Sequence, residues 1–502
     1  MTTAQRRVSS RRISISEKMK VPPHKPKGLI GCRHIQILLM TGGFFCCYVI
    51  RVSMSVAIEA MTNSKSANPD FEAFSWDDTT KNLILSSFFW GYVCTQIPAG
   101  LIAQRWGAQK MYAFAISLCG LVTLLVPMAA HNGSWQAVCA CRVIAGLCQG
   151  VAPPILHTLL AKWVPFQERG MLSTFVYAGG WVGNVIALQS SGVLAASFMG
   201  WPSIFYFWGG IALLWSIVWY FLGKESPSEH RGIPLDEKEY IEVSLGVTET
   251  TEPIPTPWNK ILFSGPVWAL LVVQSCQTWG FWMLLTKIPN YMSSVLKFNI
   301  QDNGLVSSIP YLTAWILSFP ISYYSDLAIK TNFLSVRTSR FICNSIGQFI
   351  PAISLVALGY VQSDNPVLAV GILVVAVASN MAIYCGHHVN HMDLSPNFAG
   401  PLMGCTNAIA NICSIVAPLV AGAIVQEKEN VNQWRSVFFL TAGIYVLGAL
   451  SFLLFGSTKV QKWNDPSNNR KDSRIYGIPE APSCPDLTEK IEKEKDDKHV
   501  IR

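Results

Sequence analysis

Of the 502 residues, 51% are hydrophobic and only 14% are charged, well under the roughly 25% charged residues of a soluble domain. The charges crowd into the two ends and one central stretch, which excludes a large soluble core and indicates an all-α polytopic membrane protein. The net charge of +8 does not mark a nucleic-acid binder, because many basic residues fall in the N-terminal "AQRRVSSRRISISEKMKVPPHKPK", which reads as a cytosolic juxtamembrane tail.

That polar tail precedes the first apolar run, so the run reads as a permanent helix rather than a cleaved signal. Stretches apolar enough for the ~20 residues of a membrane span fall near 35–58, 82–104, 111–130, 135–161, 171–196 and 203–222. They resume near 264–292, 303–325, 339–360, 365–390, 398–425 and 434–456. The expected organisation is a tail over 1–34, a six-helix bundle over 35–222, a central loop over 223–263, a second bundle over 264–456 and a tail over 457–502. Two similar bundles joined by a polar connector favour a shared site near the bilayer midplane.

Charge bias orients the spans. The connections "QRWGAQK", "AKWVPFQERG" and "KTNFLSVRTSR" are basic, so they and both tails are expected in the cytosol, whereas "EAMTNSKSANPDFEAFSWDDTTK" lies outside. The short outer loop "AAHNGSW" carries one glycosylation sequon at Asn132. In the central loop, "YIEV" at 240–243 matches a tyrosine sorting pattern. The plasma membrane is the default location, with lysosome or vesicle as the alternative. The 14 cysteines sit mostly inside apolar spans, without metal or disulfide spacing, and read as small core residues.

Two arginines break the apolar pattern. Arg51 lies about seven residues from the expected outer end of the first span, and Arg142 about seven from the outer start of the fourth. At 1.5 Å per residue, both sit roughly 10 Å below the outer surface. An arginine facing lipid costs at least ~2.5–3.5 kcal/mol, and no span offers an acid to compensate it. Two guanidiniums sharing an aqueous cavity make a positive pocket, and arginine grips carboxylate or phosphate by two parallel bonds. Gln149, two turns further along the Arg142 helix, supplies hydrogen bonds but cannot carry a proton. Tyr92, Gln277, Asn407 and Asn411 are further candidates for lining the path.

At the cytosolic end of the tenth span, "GHHVNHMDLSPNF" is the most polar turn among the later helices. His387, His388 and His391 lack the carboxylate or cysteine company of a metal site, so Asn390, His391 and Asp393 read as capping and gating residues. Gly146, Gly150 and the run "YAGGWVGN" read as close-packing glycines. No nucleotide loop, nucleophile triad or zinc motif is present, and an enzyme is not expected.

The turns "GLIAQRWGAQK" and "PISYYSDLAIK" resemble the loop motif of the major facilitator superfamily, the first with Gln104 where an aspartate is usual, the second keeping Asp326. Together with "SSFFWGYVCTQIPAGLIAQRWG", "CRVIAGLCQGVAPPILHTLLAKWVPFQERG", "FNIQDNGLVSSIPYL" and "VNHMDLSPNFAGPLMGCTNAIA", they resemble the anion:cation symporter family within it. That family includes sialin, the vesicular glutamate transporters and the type I sodium–phosphate cotransporters. The resemblance runs from about residue 35 to "VQKWND" and is nearest to the sialin-like and insect phosphate-cotransporter-like branch. It implies a major facilitator fold, anion binding at Arg51 and Arg142, and coupling or gating roles for His157, Arg105, Asp326, Asn390, His391 and Asp393.

The family usually places a glutamate where this chain has Gln149, and its sialin-like members place a second at Ala145. The glutamate-transporting branch has a histidine at Leu85 and an arginine at Gln277. All four are absent, which argues against glutamate loading and puts carboxylate-based proton coupling in doubt. The expected protein is a monomeric symporter of a small anion (phosphate or a carboxylate such as sialate) with Na+ or H+ as coupling ion and no cofactor. Its only other partner is the lipid bilayer. An uncoupled anion facilitator and a non-cycling sensor are the alternatives.

Overall fold

The computed structural model describes residues 26, 28, 30–62, 68, 70, 71, 73–245, 255–296, 300–361, 365–427 and 429–464. Both predicted tails lie almost wholly outside these residues. The described chain is all-helical, and helices cover all twelve predicted spans, though not one to one. In the first half these are α1 (Cys32–Thr62), α2 (Asp78–Trp106), α3 (Ala108–Gly150), α4 (Ala152–Trp163), α5 (Arg169–Ala195) and α6 (Pro202–Leu222). Short helices α7 (Leu235–Leu245) and α8 (Trp258–Leu262) occupy the central loop. The second half comprises α9 (Gly265–Ser294), α10 (Ile300–Lys330), α11 (Val336–Leu358), α12 (Pro366–Asn380), α13 (His387–Leu394), α14 (Ala399–Ile424) and α15 (Val431–Phe455). Among the described residues, eight helical stretches are long and apolar enough to cross a membrane on composition alone.

Local chemistry sets the boundaries. Asp77 caps α2, its carboxylate accepting from the Thr80 hydroxyl and from the Thr80 amide at 3.1 Å, bonds that together hold the carboxyl below the usual carboxylate range. A single residue, Gly107, separates α2 from α3. Its φ of +89° is open to glycine at little steric cost.

The third and fourth spans meet within α3 at Ser134, whose φ of 56° and ψ of −163° are non-helical, so "AAHNGSW" is a tight junction between two helical runs with Asn132 exposed. Two sequence expectations need correction. The fourth span then breaks at Val151, where Pro153 and Pro154 stand in the first turn of α4 and remove amides that continuous helix would need. The tenth span breaks over Met381–Gly386 and resumes as α13.

Packing follows the rules of lipid rather than water. Large apolar side chains such as Phe114, Leu214 and Leu454 are more than 60% exposed, as expected for lipid-facing positions. Small residues bring helices close. A Cβ at Gly146 or Gly150 would strike the carbonyls of Phe88 or Tyr92, and Gly179, Gly180 and Gly183 of α5 lie flush against α1 at Thr41, Phe44, Phe45 and Tyr48. One apolar cluster is built mainly from α1–α6 and another from α9–α15. Tyr240 and Ile241 are buried, so "YIEV" is the inner face of α7 and not an exposed sorting signal.

Candidate functional site

The close approach at Gly146 and Gly150 presses the Phe88–Tyr92 turn of α2 onto α3. Phe88 is fully buried and Tyr92 nearly so, their rings stacked 5.7 Å apart. On this aromatic floor meet the two predicted arginines. The Arg51 guanidinium carbon lies 4.8 Å from the Phe88 centroid, 4.6 Å from that of Tyr92 and 4.7 Å from that of Tyr48. The Arg142 guanidinium lies 4.9 Å from the same Phe88 ring. The two cations are therefore within two ring contacts of each other. Cation–π contact supplies each with ~1–2 kcal/mol of compensation when desolvated, far less than an ion pair in the same place.

The depth argument needs one adjustment. Helix α1 extends to Thr62, four residues past the predicted end, so Arg51 lies about a turn deeper than expected. The shared Phe88 ring nevertheless brings it to Arg142. Gln149 joins the cluster from α3, its Oε1 accepting from Arg51 Nε at 3.3 Å and its Nε2 donating to Cys119 Sγ at 3.5 Å. Arg142 is only 5% exposed, and its Nε has no partner. Among the described residues, no ion pair reaches Arg51 or Arg142.

Gln277 is held elsewhere. It exchanges hydrogen bonds with Asn380 at 2.5 and 3.0 Å and accepts from Gln348 at 3.4 Å, in a buried amide network of the second half. Asn411 donates to the Asn407 carbonyl one turn back at 2.7 Å. The described contacts bring none of these residues to the arginines.

A second charged cluster closes the side assigned to the cytosol. Asp393 accepts from Arg169 Nη1 at 2.7 Å and from Arg340 Nε at 2.8 Å, all three groups buried. Asp326, at the end of α10, accepts from the backbone amides of Gly170 and Met171 at 3.1 and 2.7 Å, capping the positive end of α5. Ser322 donates to Thr174 at 2.9 Å, and Gln104 to the Asn397 carbonyl at 3.1 Å. Each bond ties a helix of the first half to the second.

His157 reinforces this latch. The His388 carbonyl, 3.1 Å from His157 Nε2, is acceptor-only, so Nε2 carries the hydrogen and Nδ1 accepts from the Tyr177 hydroxyl at 2.6 Å. His391 Nδ1 donates to the same carbonyl at 3.0 Å, and its Nε2 pairs with Thr406 at 2.9 Å. Asn390 donates to the Ser457 carbonyl at 3.0 Å. Arg105 is exposed in the last turn of α2, and no ion pair reaches it among the described residues. No group of three metal-ligating side chains occurs among the described residues either.

Sequence reasoning missed three members. Arg340 was read only as a positive-inside charge in "KTNFLSVRTSR", although a buried arginine opposite Asp393 was available to be asked for. Tyr384, which stacks on Tyr177 at 5.9 Å and accepts from Trp181 Nε1 at 3.2 Å, carried no signal beyond an aromatic in an apolar run. Glu237 of α7 accepts from the Cys32 and Arg33 amides at 2.8 and 3.2 Å and from Arg33 Nη1 at 2.8 Å, while Glu168 takes Arg33 Nε at 2.9 Å. It looked like one acid among several in a polar loop.

With the geometry in place, comparison with known proteins is informative. A profile of the Major Facilitator Superfamily matches residues 39–400. The chain is 38% identical over 447 residues to a Drosophila ananassae protein named "Putative inorganic phosphate cotransporter", covering 84% of this chain and 92% of that one. It is 36% identical over 462 residues to sialin of Homo sapiens, covering 87% and 92%. A solved proton:xylose symporter matches 87% of this chain and 98% of its own with a TM-score of 0.65 at 16% identity, a likeness of fold alone.

Proposed function

We propose, from the premise that this chain belongs to the anion:cation symporter family of the major facilitator superfamily and moves anions by secondary active transport, that its cargo is inorganic phosphate gripped between Arg51 and Arg142. The observation that carries this reading is the uncompensated pair itself. Two buried guanidiniums share one ring, with an amide rather than a carboxylate beside them and an Arg142 N–H left unpaired. Such a pocket has its missing acceptor in the substrate. A tetrahedral oxyanion offers oxygens to both planar forks at once, and the similarity to a protein named for phosphate cotransport supports that cargo over a carboxylate.

In this reading the structure's latched cytosolic side leaves the arginine pocket to be loaded from outside. Transport then requires the Arg169–Asp393, Asp326–α5 and His157–His388 contacts to part while the two halves rock about the bound anion. Gln149 cannot take up a proton, so the driving ion is sodium or a proton held elsewhere, His157 being the buried base within the latch. Residence in the plasma membrane completes the reading; the burial of "YIEV" supports it, and surface labelling of intact cells tests it.

The decisive experiment is phosphate uptake by the purified protein in liposomes, with and without external Na+ and with and without a pH gradient. Arg51→Ala and Arg142→Ala are each expected to lower uptake at least ~100-fold, the loss of a charge-assisted bidentate contact, with normal insertion. Wild-type uptake by either variant would contradict the assignment, and sialate outcompeting phosphate would redirect it to a carboxylate.

A further inference from the structure

The charge count of this pocket goes further than its sign, and the step rests on the anion-binding reading above. Arg51 and Arg142 contribute two positive charges that no pH in the physiological range removes. The side chains around them include Tyr48, Tyr92, Cys47, Cys119 and Cys139, none of which is a carboxylate. Gln149, completely buried and bonded to Arg51, is neutral at any pH. Among the described residues no ion pair brings an acid to either guanidinium, and the nearest helix contacts, Phe88, Tyr92 and Cys119, are aromatic or thiol. The side chains around Arg51 and Arg142 together carry a net charge of two.

In a desolvated site, residual charge is costly. A monoanion leaves one arginine uncompensated during the passage across the membrane; a dianion leaves none. We infer that this transporter is charge-matched to dianions, and that the amide at Gln149 is the specificity determinant that keeps the pocket at two charges rather than one. Gln149 also acts as a positioning residue. It holds Arg51 Nε with its carbonyl, beside the Tyr48 and Tyr92 phenols that also bond this guanidinium, and so fixes the orientation in which Arg51 meets the ligand. A glutamate at the same place would hold Arg51 just as well but would cancel one charge, turning the pocket into a receptor for monoanions.

The test compares two tetrahedral probes of nearly equal size that differ in charge. Sulfate is a dianion throughout the neutral range; methanesulfonate is a monoanion. Binding of each to the purified full-length protein is measured by calorimetry at neutral pH. Wild type is expected to bind sulfate at least tenfold more tightly than methanesulfonate. Gln149→Glu should reverse that order, whereas the neutral variant Gln149→Leu, which loses the bond to Arg51 Nε, should weaken both anions while still binding sulfate the more tightly, which separates charge from positioning. Equal affinities in wild type, or an unchanged ratio in Q149E, would overturn the charge-matching inference while leaving the anion site standing. Binding of neither anion to wild type, or undiminished binding in R142A, would overturn the site itself and this inference with it.

Discussion

Two groups of buried arginines stand in opposite conditions in this molecule. Arg169 and Arg340 converge on one carboxylate, Asp393, at 2.7 and 2.8 Å, and lie on different halves of the chain. Arg51 and Arg142 converge on an aromatic ring and an amide, and both lie in the first half. The first arrangement carries its own counter-charge, although Arg169 Nε and Arg340 Nη2 are buried without hydrogen-bond partners, so its closed form needs no added anion. The second has no acid among its described contacts, and under the proposed function the bound anion completes it. The same side chain thus serves two ends, and the presence or absence of an acid decides which.

The comparison breaks most sharply at Asp393. Asp393→Ala removes the carboxylate bonded to both guanidiniums and leaves only Asp326 acting on them electrostatically, a loss of up to about 3–5 kcal/mol. We expect a steep fall in folded yield and in the thermal midpoint of detergent-purified protein; an unchanged midpoint would mean that the latch is solvated. The opposite sign is expected in the other cluster. Arg142→Leu removes a buried charge that nothing pairs, so the ligand-free protein should be as stable as wild type or more so, while phosphate uptake disappears. A destabilisation by several kcal/mol would show that Arg142 has a structural counter-ion.

The smallest effect is expected at the central loop. Glu237→Gln keeps the shape but weakens the charged bonds to the start of α1, at about 1 kcal/mol each. The cost should appear as faster amide exchange in α7 and the first turn of α1 rather than as lost transport.

How far the sequence revealed these features follows from what each one depends on. Twelve apolar runs specify the spanning helices because length and hydropathy are local, and the junction at Ser134 falls where two runs meet, yet the breaks at Val151 and over Met381–Gly386 escaped, since a broken span and a continuous one share the same composition. Arg51 and Arg142 were visible as charges in the wrong solvent. Their contact through Phe88 was not, because it rests on the glycine-mediated approach of α2 to α3. Asp393 stood out from its polar turn as a residue of interest, while its partner Arg340 lay hidden among residues that topology alone seemed to explain. Gln277 was drawn toward the arginines by its helix position, but its hydrogen bonds are spent on Asn380 and Gln348. Pairings across long sequence separations are what a single chain discloses least.

Phosphate-dependent stabilisation of the purified protein tests the central claim most directly. Ligand at a hundred times its dissociation constant stabilises a single site by about 2.7 kcal/mol. The thermal midpoint of wild type should rise with added phosphate, while Arg142→Leu, whatever its own baseline, should show no phosphate response. A wild-type phosphate shift retained in Arg142→Leu would contradict the account and move the anion site away from the unpaired arginines.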